Sequence, residues 1–170
     1  IYTATLEERA TCPRTCPHWG DCYGNGMRFA HRMEHGPALE KRLPAEIAEL
    51  ARKHPDGFAV RLHVLGDFYS RRYVSLWARM LREYPALHVW WYTARLPGTP
   101  IGDAIATIRG PRFVVRWSGG GTLPLSANPE DFDAPAFTCP EQTGKAKSCA
   151  ACGACWATLR AVRFIDHGIQ

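Results

Sequence analysis

Seven cysteines are the residues of this chain with the clearest capacity for chemistry, and they fall into two sets. The front set, within TCPRTCPHWGDCYG, comprises Cys12, Cys16 and Cys22. The rear set, within CPEQTGKAKSCAACGACW, comprises Cys139, Cys149, Cys152 and Cys155. An odd number of thiols cannot be fully paired, and disulfide frameworks are typical of small secreted chains that lack a core. The two dense sets of thiols therefore favour metal or iron–sulfur ligation over disulfides.

The rear set has the spacing of an iron–sulfur ligand loop. From Cys149 to Cys155 it reads C-x2-C-x2-C, which wraps one corner of a [4Fe–4S] cube, whereas structural zinc usually takes two separated C-x2-C pairs. Gly153 lies inside this loop and permits a close backbone approach and a positive φ angle. Cys139 is followed by Pro140, a pairing that often supplies the remote fourth ligand. The rear set therefore predicts one complete [4Fe–4S] cluster.

The front set supplies only three thiolates, at the spacing C-x3-C-x5-C. A [4Fe–4S] cube held by these three keeps one iron without a protein thiolate, open to a substrate, a small ligand or a histidine. The histidines considered for that iron are His18, His31 and His35. Pro13 and Pro17 favour extended backbone at the cysteines before them, which suits a ligand loop. Two alternatives stay open: zinc held by the front cysteines and a histidine, and a partition in which Cys139 completes the front set.

Composition and charge narrow the class of partner. The chain has 170 residues, of which 46% are hydrophobic and 22% charged, which is typical of a globular domain and argues against disorder. The net charge is +5, with 17 arginines against four lysines. Arginine favours phosphate groups and stacking on bases, so we expect an anionic partner such as a nucleic acid or nucleotide. No apolar run reaches about 18 residues, so no membrane partner is expected.

Between the two cysteine sets, apolar strand-like runs alternate with helical patterns, which is typical of a parallel α/β sheet. The predicted strands are 58–65, 87–93, 112–118 and a short one at 161–166. The predicted helices run from Pro44 to 54, from the Ser70 cap to 84, and from Thr99 and Pro100 to Arg109. The stretch 121–139 is predicted to be a surface loop. The sequence thus predicts a single α/β domain over 1–170, with an N-terminal cluster loop at 11–26 and a C-terminal cluster segment at 137–157.

Polar residues follow each predicted strand, and the carboxyl ends of parallel strands meet at one edge of a sheet, where function collects. We predict catalytic roles for Asp67, Ser70 and Arg95, and cofactor contacts for Thr93 and Ser118. We expect the glycines at 119–121 to lie at the same edge of the sheet, together with Asp166 and His167, which follow the last predicted strand. The alternative roles are capping or turn formation for Asp67 and Ser70, and a solvated loop cation for Arg95. As an edge carboxylate, Asp67 is expected to matter more for function than for folding.

Four stretches together resemble the gene product 88 family of phages and mobile elements. They are TCPRTCPHWGDCYG, RLHVLGDFYS, VWWYTAR and CPEQTGKAKSCAACGACW, and the resemblance covers roughly residues 8–166. It implies a protein encoded by a phage or mobile element and located in the cytoplasm.

The order of a three-cysteine loop, a strand ending in a Gly-acid turn, and alternating helices and strands is similar to the radical S-adenosylmethionine superfamily. That similarity implies a partial barrel and a front [4Fe–4S] cluster whose open iron binds S-adenosylmethionine. It makes the three front cysteines the cluster ligands and places Gly66 and Asp67 at the turn that grips the cofactor's amino group. The expected function is an iron–sulfur protein with two clusters, an electron donor as partner, and redox or radical chemistry. The alternative is a zinc-stapled nucleic-acid-binding module without catalysis.

Overall fold

Four strands form a parallel sheet at the centre of the computed structural model, which describes residues 1–118 and 136–165. In chain order, and in the same order across the sheet, they are β1 (Tyr2–Thr3), β2 (Phe58–Arg61), β3 (Leu87–Thr93) and β4 (Phe113–Trp117). The register aligns Val60 with Val89, and Val89 with Phe113. The predicted parallel sheet with alternating helices is confirmed.

Six helices and a second small sheet complete the described part of the chain. The helices are α1 (Glu8–Thr11), α2 (Pro37–Lys53), α3 (Arg71–Glu83), α4 (Pro100–Ile108), α5 (Cys149–Cys152) and α6 (Ala154–Ala157), with a 3-10 turn at Tyr23–Gly26. The strands β5 (Phe137–Thr138) and β6 (Val162–Arg163) pair in parallel with each other. Among the residues described, none of these helices has the length and apolar character needed to cross a membrane.

The starts of α3 and α4 follow directly from local sequence. Ser70 accepts a hydrogen bond on its side chain from the backbone N–H of Tyr73, and Thr99 accepts one from that of Gly102. Each oxygen satisfies a backbone donor that the first turn of a helix leaves without a partner. Pro100 occupies the first turn of α4, where its missing N–H costs nothing. Both predicted helix starts are confirmed.

The sheet buries both faces against different parts of the chain. Side chains alternate along a strand, so Trp90 and Trp91 of β3 point to opposite faces. Trp91 lies in the main core, which α2, α3 and α4 complete with residues such as Trp77. Trp90 belongs to a smaller cluster that is covered by Trp156 of α6. The rear cysteine segment, residues 136–165, is therefore the layer that covers the second face.

Helix α2 begins seven residues before the predicted start. Proline favours the first turn of a helix, and this preference predicts a start at Pro44. The structure instead has Pro37 in the first turn and Pro44 in the interior of the helix. Leu39, Leu43 and Ile47 are buried on one side of the helix across this proline. Burial of that apolar stripe outweighs the missing hydrogen bond at Pro44, so the predicted start was wrong.

Two strand predictions also need correction. The strand predicted for 58–65 ends at Arg61, because Val64 donates its backbone N–H to Ala4 and not to β3. The strand predicted for 161–166 is only two residues long, β6, and it pairs with β5 outside the main sheet. The strand β5 itself lies within the stretch 121–139 that was predicted to be a loop. The glycines at 119–121, most of that loop, and Asp166 and His167 lie outside the described residues.

Candidate functional site

Asp67 lies just beyond the carboxyl end of β2 and ties that end of the sheet together. Its side chain is only 2% exposed. The carboxylate accepts hydrogen bonds from the backbone N–H of Phe68 at 2.7 Å, the Thr93 hydroxyl at 2.8 Å and the backbone N–H of Ala94 at 2.9 Å. Burial raises the pKa of Asp67 to about 6, although the hydrogen bonds from Thr93, Ala94 and Phe68 and the charge of Arg95 act in the opposite direction.

This environment corrects the expectation that Asp67 contributes little to packing. A buried carboxylate with several donors around it leaves those donors unsatisfied when it is removed, so its loss must affect folding. The predicted catalytic role of Asp67 stays a prediction.

Arg95 joins the front of the molecule to the same edge and is not a solvated loop cation. Its Nε donates to the carbonyl of Phe68 at 2.9 Å, and its Nη2 donates to the carbonyl of Thr11 at 2.5 Å. Its backbone N–H donates to the Thr93 hydroxyl at 3.0 Å. The structure therefore brings Asp67, Thr93 and Arg95 together, with Thr11 at the start of the front loop (residues 11–26) beside them.

Gly66 makes room for the N-terminal segment. Its φ angle is +88°, and a Cβ atom built there would stand 2.7 Å from the Leu6 Cβ and 2.7 Å from the Thr11 hydroxyl oxygen. That hydroxyl accepts a hydrogen bond from the backbone N–H of Asp67 at 3.1 Å. Packing within the chain thus accounts for glycine at this position, and the cofactor contact predicted for Gly66 stays a prediction.

We expect Gly66→Ala to lower the free energy of unfolding by at least ~3 kcal/mol, since it adds overlap with Leu6 and Thr11 to the cost of a positive φ. Gly98→Ala is the matched control: its φ is +87°, and a Cβ atom there meets nothing within 4 Å. The control should lose only ~1 kcal/mol, the cost of the backbone conformation. Urea unfolding of both variants measures the difference, and equal losses would contradict the close packing at Gly66.

The two predicted serines lie at the margin of this group. Ser70 caps α3 through the hydrogen bond from Tyr73, so the capping alternative is confirmed for it. Ser118 donates its backbone N–H to the carbonyl of Thr93 at 2.8 Å, which continues the strand pairing past the end of β4. The catalytic role of Ser70 and the cofactor contact of Ser118 stay predictions.

The front loop is folded by turns and by one partly buried ion pair. Cys12 has extended backbone, as predicted from Pro13, with φ −70° and ψ 149°. The Arg32 guanidinium pairs with the Glu8 carboxylate at 2.9 Å and also donates to the carbonyl of Gly24 at 3.1 Å. The hydrogen bond from Arg32 lowers the pKa of Glu8. Through Arg32, these contacts connect the start of the chain at Glu8 to the end of the front loop at Gly24.

The three front thiols are near enough to one another and to Asp67 for their charges to interact. Burial, together with the smaller effects of the charges of Asp67, Cys16 and Cys22, raises the pKa of Cys12 to about 12, and the charge of Arg95 acts in the opposite direction. Burial likewise raises the pKa of Cys16. As free thiols, Cys12 and Cys16 are therefore protonated at neutral pH, and metal ligation would have to displace their protons.

The candidate histidine ligands have other surroundings. His18 is exposed and stands 3.5 Å from the Asp21 carboxylate. The ring of His35 packs edge-on against that of Tyr69, with the ring centroids 5.0 Å apart. His31 is exposed. None of these contacts brings an imidazole ring to the front thiols, although a hydrogen bond from the backbone of His18 lowers the pKa of Cys16.

The rear thiols form the second group, and Cys139 lies among them. Cys139 raises the pKa of both Cys149 and Cys155, although burial is the larger cause in each case. The strand β5 brings Cys139 to this place, since its backbone N–H donates to the carbonyl of Arg163 at 2.8 Å. Cys139 is thus grouped with the three other rear thiols, and three thiols remain in front. This grouping favours a rear set completed by Cys139 over the alternative in which Cys139 completes the front set.

The C-x2-C-x2-C stretch consists of two short helical turns, α5 and α6, and not one continuous loop. Ser148 caps α5 by accepting from the backbone N–H of Ala151. Gly153 separates the two turns with a φ angle of +67°, so the predicted positive φ is confirmed. A Cβ atom built at Gly153 would meet the Trp156 ring at 3.6 Å, an ordinary contact, and the close approach of this backbone to a cluster stays a prediction.

Arg116 of β4 fixes the rear segment to the sheet, and the sequence analysis missed it. Its side chain is 0% exposed, and it donates to the backbone carbonyls of Cys155 at 3.0 Å, Thr158 at 2.9 Å and Arg160 at 2.8 Å. Burial lowers its pKa. The Tyr92 hydroxyl lies 3.3 Å from the Cys155 sulfur. An arginine within the apolar run FVVRW is the signal that could have identified this anchor.

The donor set fits a sulfur-ligated centre, although the thiols are not arranged as a finished cage. All seven cysteines are free thiols. Within residues 1–118 and 136–165, no group of three or more His, Cys, Asp or Glu side chains is arranged so that it could hold a metal ion. Two separate groups of neighbouring thiols are nevertheless the ligands that iron–sulfur clusters and zinc select, in contrast to the oxygen ligands of magnesium or calcium.

Comparison with known proteins covers the sheet and the front loop. The family model described as gene product 88 matches residues 2–124, which includes all three front cysteines, Asp67 and Arg95. The rear cysteine segment lies beyond the matched range. No curated protein and no solved structure matches the chain.

Proposed function

This chain belongs to the gene product 88 family, and from that premise we propose that it is an iron–sulfur protein of phage or mobile-element type. It binds two [4Fe–4S] clusters, one at each cysteine set, and carries out redox or radical S-adenosylmethionine-like chemistry at the front set. It acts in the cytoplasm and takes electrons from a donor protein. Its sheet corresponds to part of a radical S-adenosylmethionine barrel.

The observation that supports the proposal is the division of the seven free cysteines into two sets, three within residues 12–22 and four within residues 139–155, whose members are near enough for their charges to interact. Four thiolates complete the ligation of a [4Fe–4S] cluster, whereas three leave one iron open. The group of three lies at the carboxyl edge of a parallel sheet, where ligands bind in open α/β folds. The incomplete set is therefore the one in position to meet a substrate.

When bound, a [4Fe–4S] cluster supplies one-electron redox chemistry, and an open iron can take S-adenosylmethionine or another small molecule. The chain contributes the surroundings of that iron. Cys12, Cys16 and Cys22 would hold the cluster, and Arg95 fixes the start of the loop through the carbonyl of Thr11. A carboxyl with a pKa of about 6, as at Asp67, can take up or release a proton near neutral pH, which supports a role in acid–base chemistry.

Iron analysis after anaerobic reconstitution tests this proposal. We expect about eight iron atoms per chain and a brown protein, because each cubic cluster holds four irons. Cys12→Ala and Cys152→Ser should each remove about half of the iron, from the front and the rear cluster respectively. Cys139→Ser should resemble Cys152→Ser in its electron paramagnetic resonance spectrum. S-adenosylmethionine should perturb the spectrum of Cys152→Ser, which keeps the front cluster, but not that of Cys12→Ala.

Three results would contradict parts of this proposal. A single cluster in the unaltered protein, or unchanged iron in Cys12→Ala, would refute a front cluster. A colourless protein with stoichiometric zinc would support the alternative, a zinc-stapled module that binds nucleic acid without catalysis. Two intact clusters that do not respond to S-adenosylmethionine would leave a redox protein and remove the radical chemistry.

A further inference from the structure

Arg61 lies at the carboxyl end of β2, where the front loop and the rear segment approach the same face of the sheet. Arg61 and Trp90 are neighbours across β2 and β3, and the Arg61 guanidinium lies over the Trp90 ring at 5.2 Å. The Trp90 ring in turn packs against Trp156 of the rear segment, with the centroids 6.0 Å apart. From the front loop, Gly24 packs against Leu65, four residues beyond Arg61. The side chain therefore stands between the two cysteine sets.

The guanidinium of Arg61 has no hydrogen-bond acceptor or carboxylate partner among residues 1–118 and 136–165. Its Nε is buried and makes no hydrogen bond there. Arg116 on the same face shows the contrast, because three backbone carbonyls accept from its guanidinium. A buried donor without an acceptor is costly, so a site that keeps one is a candidate for binding an acceptor from outside the chain.

The positive charge of Arg61 favours an anion, because none of the ion pairs among residues 1–118 and 136–165 includes it. The Glu8 carboxylate of the front part of the chain pairs with Arg32 instead. Tyr23 is 59% exposed and offers a ring beside the guanidinium on which a base could stack.

We propose that Arg61 binds the phosphate group of a small molecule or nucleotide between the front loop and the rear segment. The planar guanidinium presents paired N–H donors that match two phosphate oxygens, which a lysine could not do. The ring of Trp90 below holds the guanidinium flat. The inference that phosphate binds at Arg61 depends only on these contacts. The further claim that the bound compound is the substrate of the front centre rests on the proposed function.

Binding measurements on the full-length, anaerobically purified chain test this inference. Isothermal titration calorimetry with inorganic phosphate, adenosine 5′-monophosphate and adenosine would be run on three proteins. Arg61→Gln should weaken binding of both phosphate compounds about tenfold or more, as expected for the loss of a charge-assisted hydrogen bond. Arg109→Gln is the matched control, because Arg109 also lies half-buried over a tryptophan, Trp117, at 5.5 Å. It should bind like the unaltered protein.

Each outcome of these titrations either supports or overturns phosphate binding at Arg61. Tighter binding of the nucleotide than of inorganic phosphate would identify a nucleotide site, and equal binding a phosphate site; both support the inference. It is overturned if the unaltered protein binds neither phosphate compound at millimolar concentration, if Arg61→Gln binds them unchanged, or if adenosine binds as well as its monophosphate. Iron content measured on the same samples separates the two proposals, since a colourless protein that binds phosphate refutes only the clusters.

Discussion

Replacing Arg116 with methionine should detach the rear cysteine segment from the sheet. The guanidinium is buried and donates to the carbonyls of residues 155, 158 and 160. Methionine has a similar volume but no donor, so these carbonyls lose their partners. Each buried carbonyl left without its donor typically costs about 1–3 kcal/mol. Because the bonds all reach one segment, we expect local release of residues 154–163 before global unfolding.

Limited trypsin digestion measures that release, because the segment contains Arg160 and Arg163. Cleavage after Arg160 should become at least tenfold faster in Arg116→Met, and the rear cluster that we propose should lose its iron. Arg112→Met is the control, because Arg112 also donates to backbone carbonyls, but to those of Tyr84 and Leu87 and not to carbonyls of the rear segment. Unchanged cleavage in Arg116→Met, or equally fast cleavage in Arg112→Met, would contradict the anchoring role.

The central fold could be predicted because its signals are local. The strands β3 and β4 and the caps at Ser70 and Thr99 each depend on a few adjacent residues, and all of them are confirmed. The strand β1 could not be predicted in this way. Its two residues, Tyr2–Thr3, form a strand only by pairing with Val60 and Arg61, far along the chain.

The site was predictable in its residue types and less so in its arrangement. Cysteine spacing predicts two sets, but the place of Cys139 depends on pairing of β5 with β6, which no local pattern indicates. From the sequence, Asp67 is predicted to lie in a turn directly after a strand. Its burial arises because Leu6 and Thr11 pack over Gly66 from the other end of the chain. Long-range packing of this kind is what the sequence alone does not specify.

Asp67→Ala should cost the protein about 4 kcal/mol of unfolding free energy at pH 4, because three buried donors lose their acceptor and each loss is worth about 1–3 kcal/mol. The cost should depend on pH. Burial raises the pKa of Asp67 from 3.8 to about 6, so the folded protein binds a proton more tightly than the unfolded chain. The stabilisation is complete below the unfolded pKa and is lost as the pH rises through about 6. The difference between the two proteins should therefore shrink by about 2–3 kcal/mol between pH 4 and pH 7.

Urea unfolding of both proteins across this pH range measures the effect, and taking the difference removes titrations that the two share. Asp56→Ala is the control, since Asp56 is exposed in the turn before β2 and should change the unfolding free energy by less than about 0.5 kcal/mol. Thr93→Val removes one of the donors to Asp67, so its cost and that of Asp67→Ala should not add in the double variant. A loss below about 1 kcal/mol at pH 4 would show that Asp67 is dispensable for folding. Its place beside the front thiols would then be explained by chemistry at the front centre, as first predicted from the sequence.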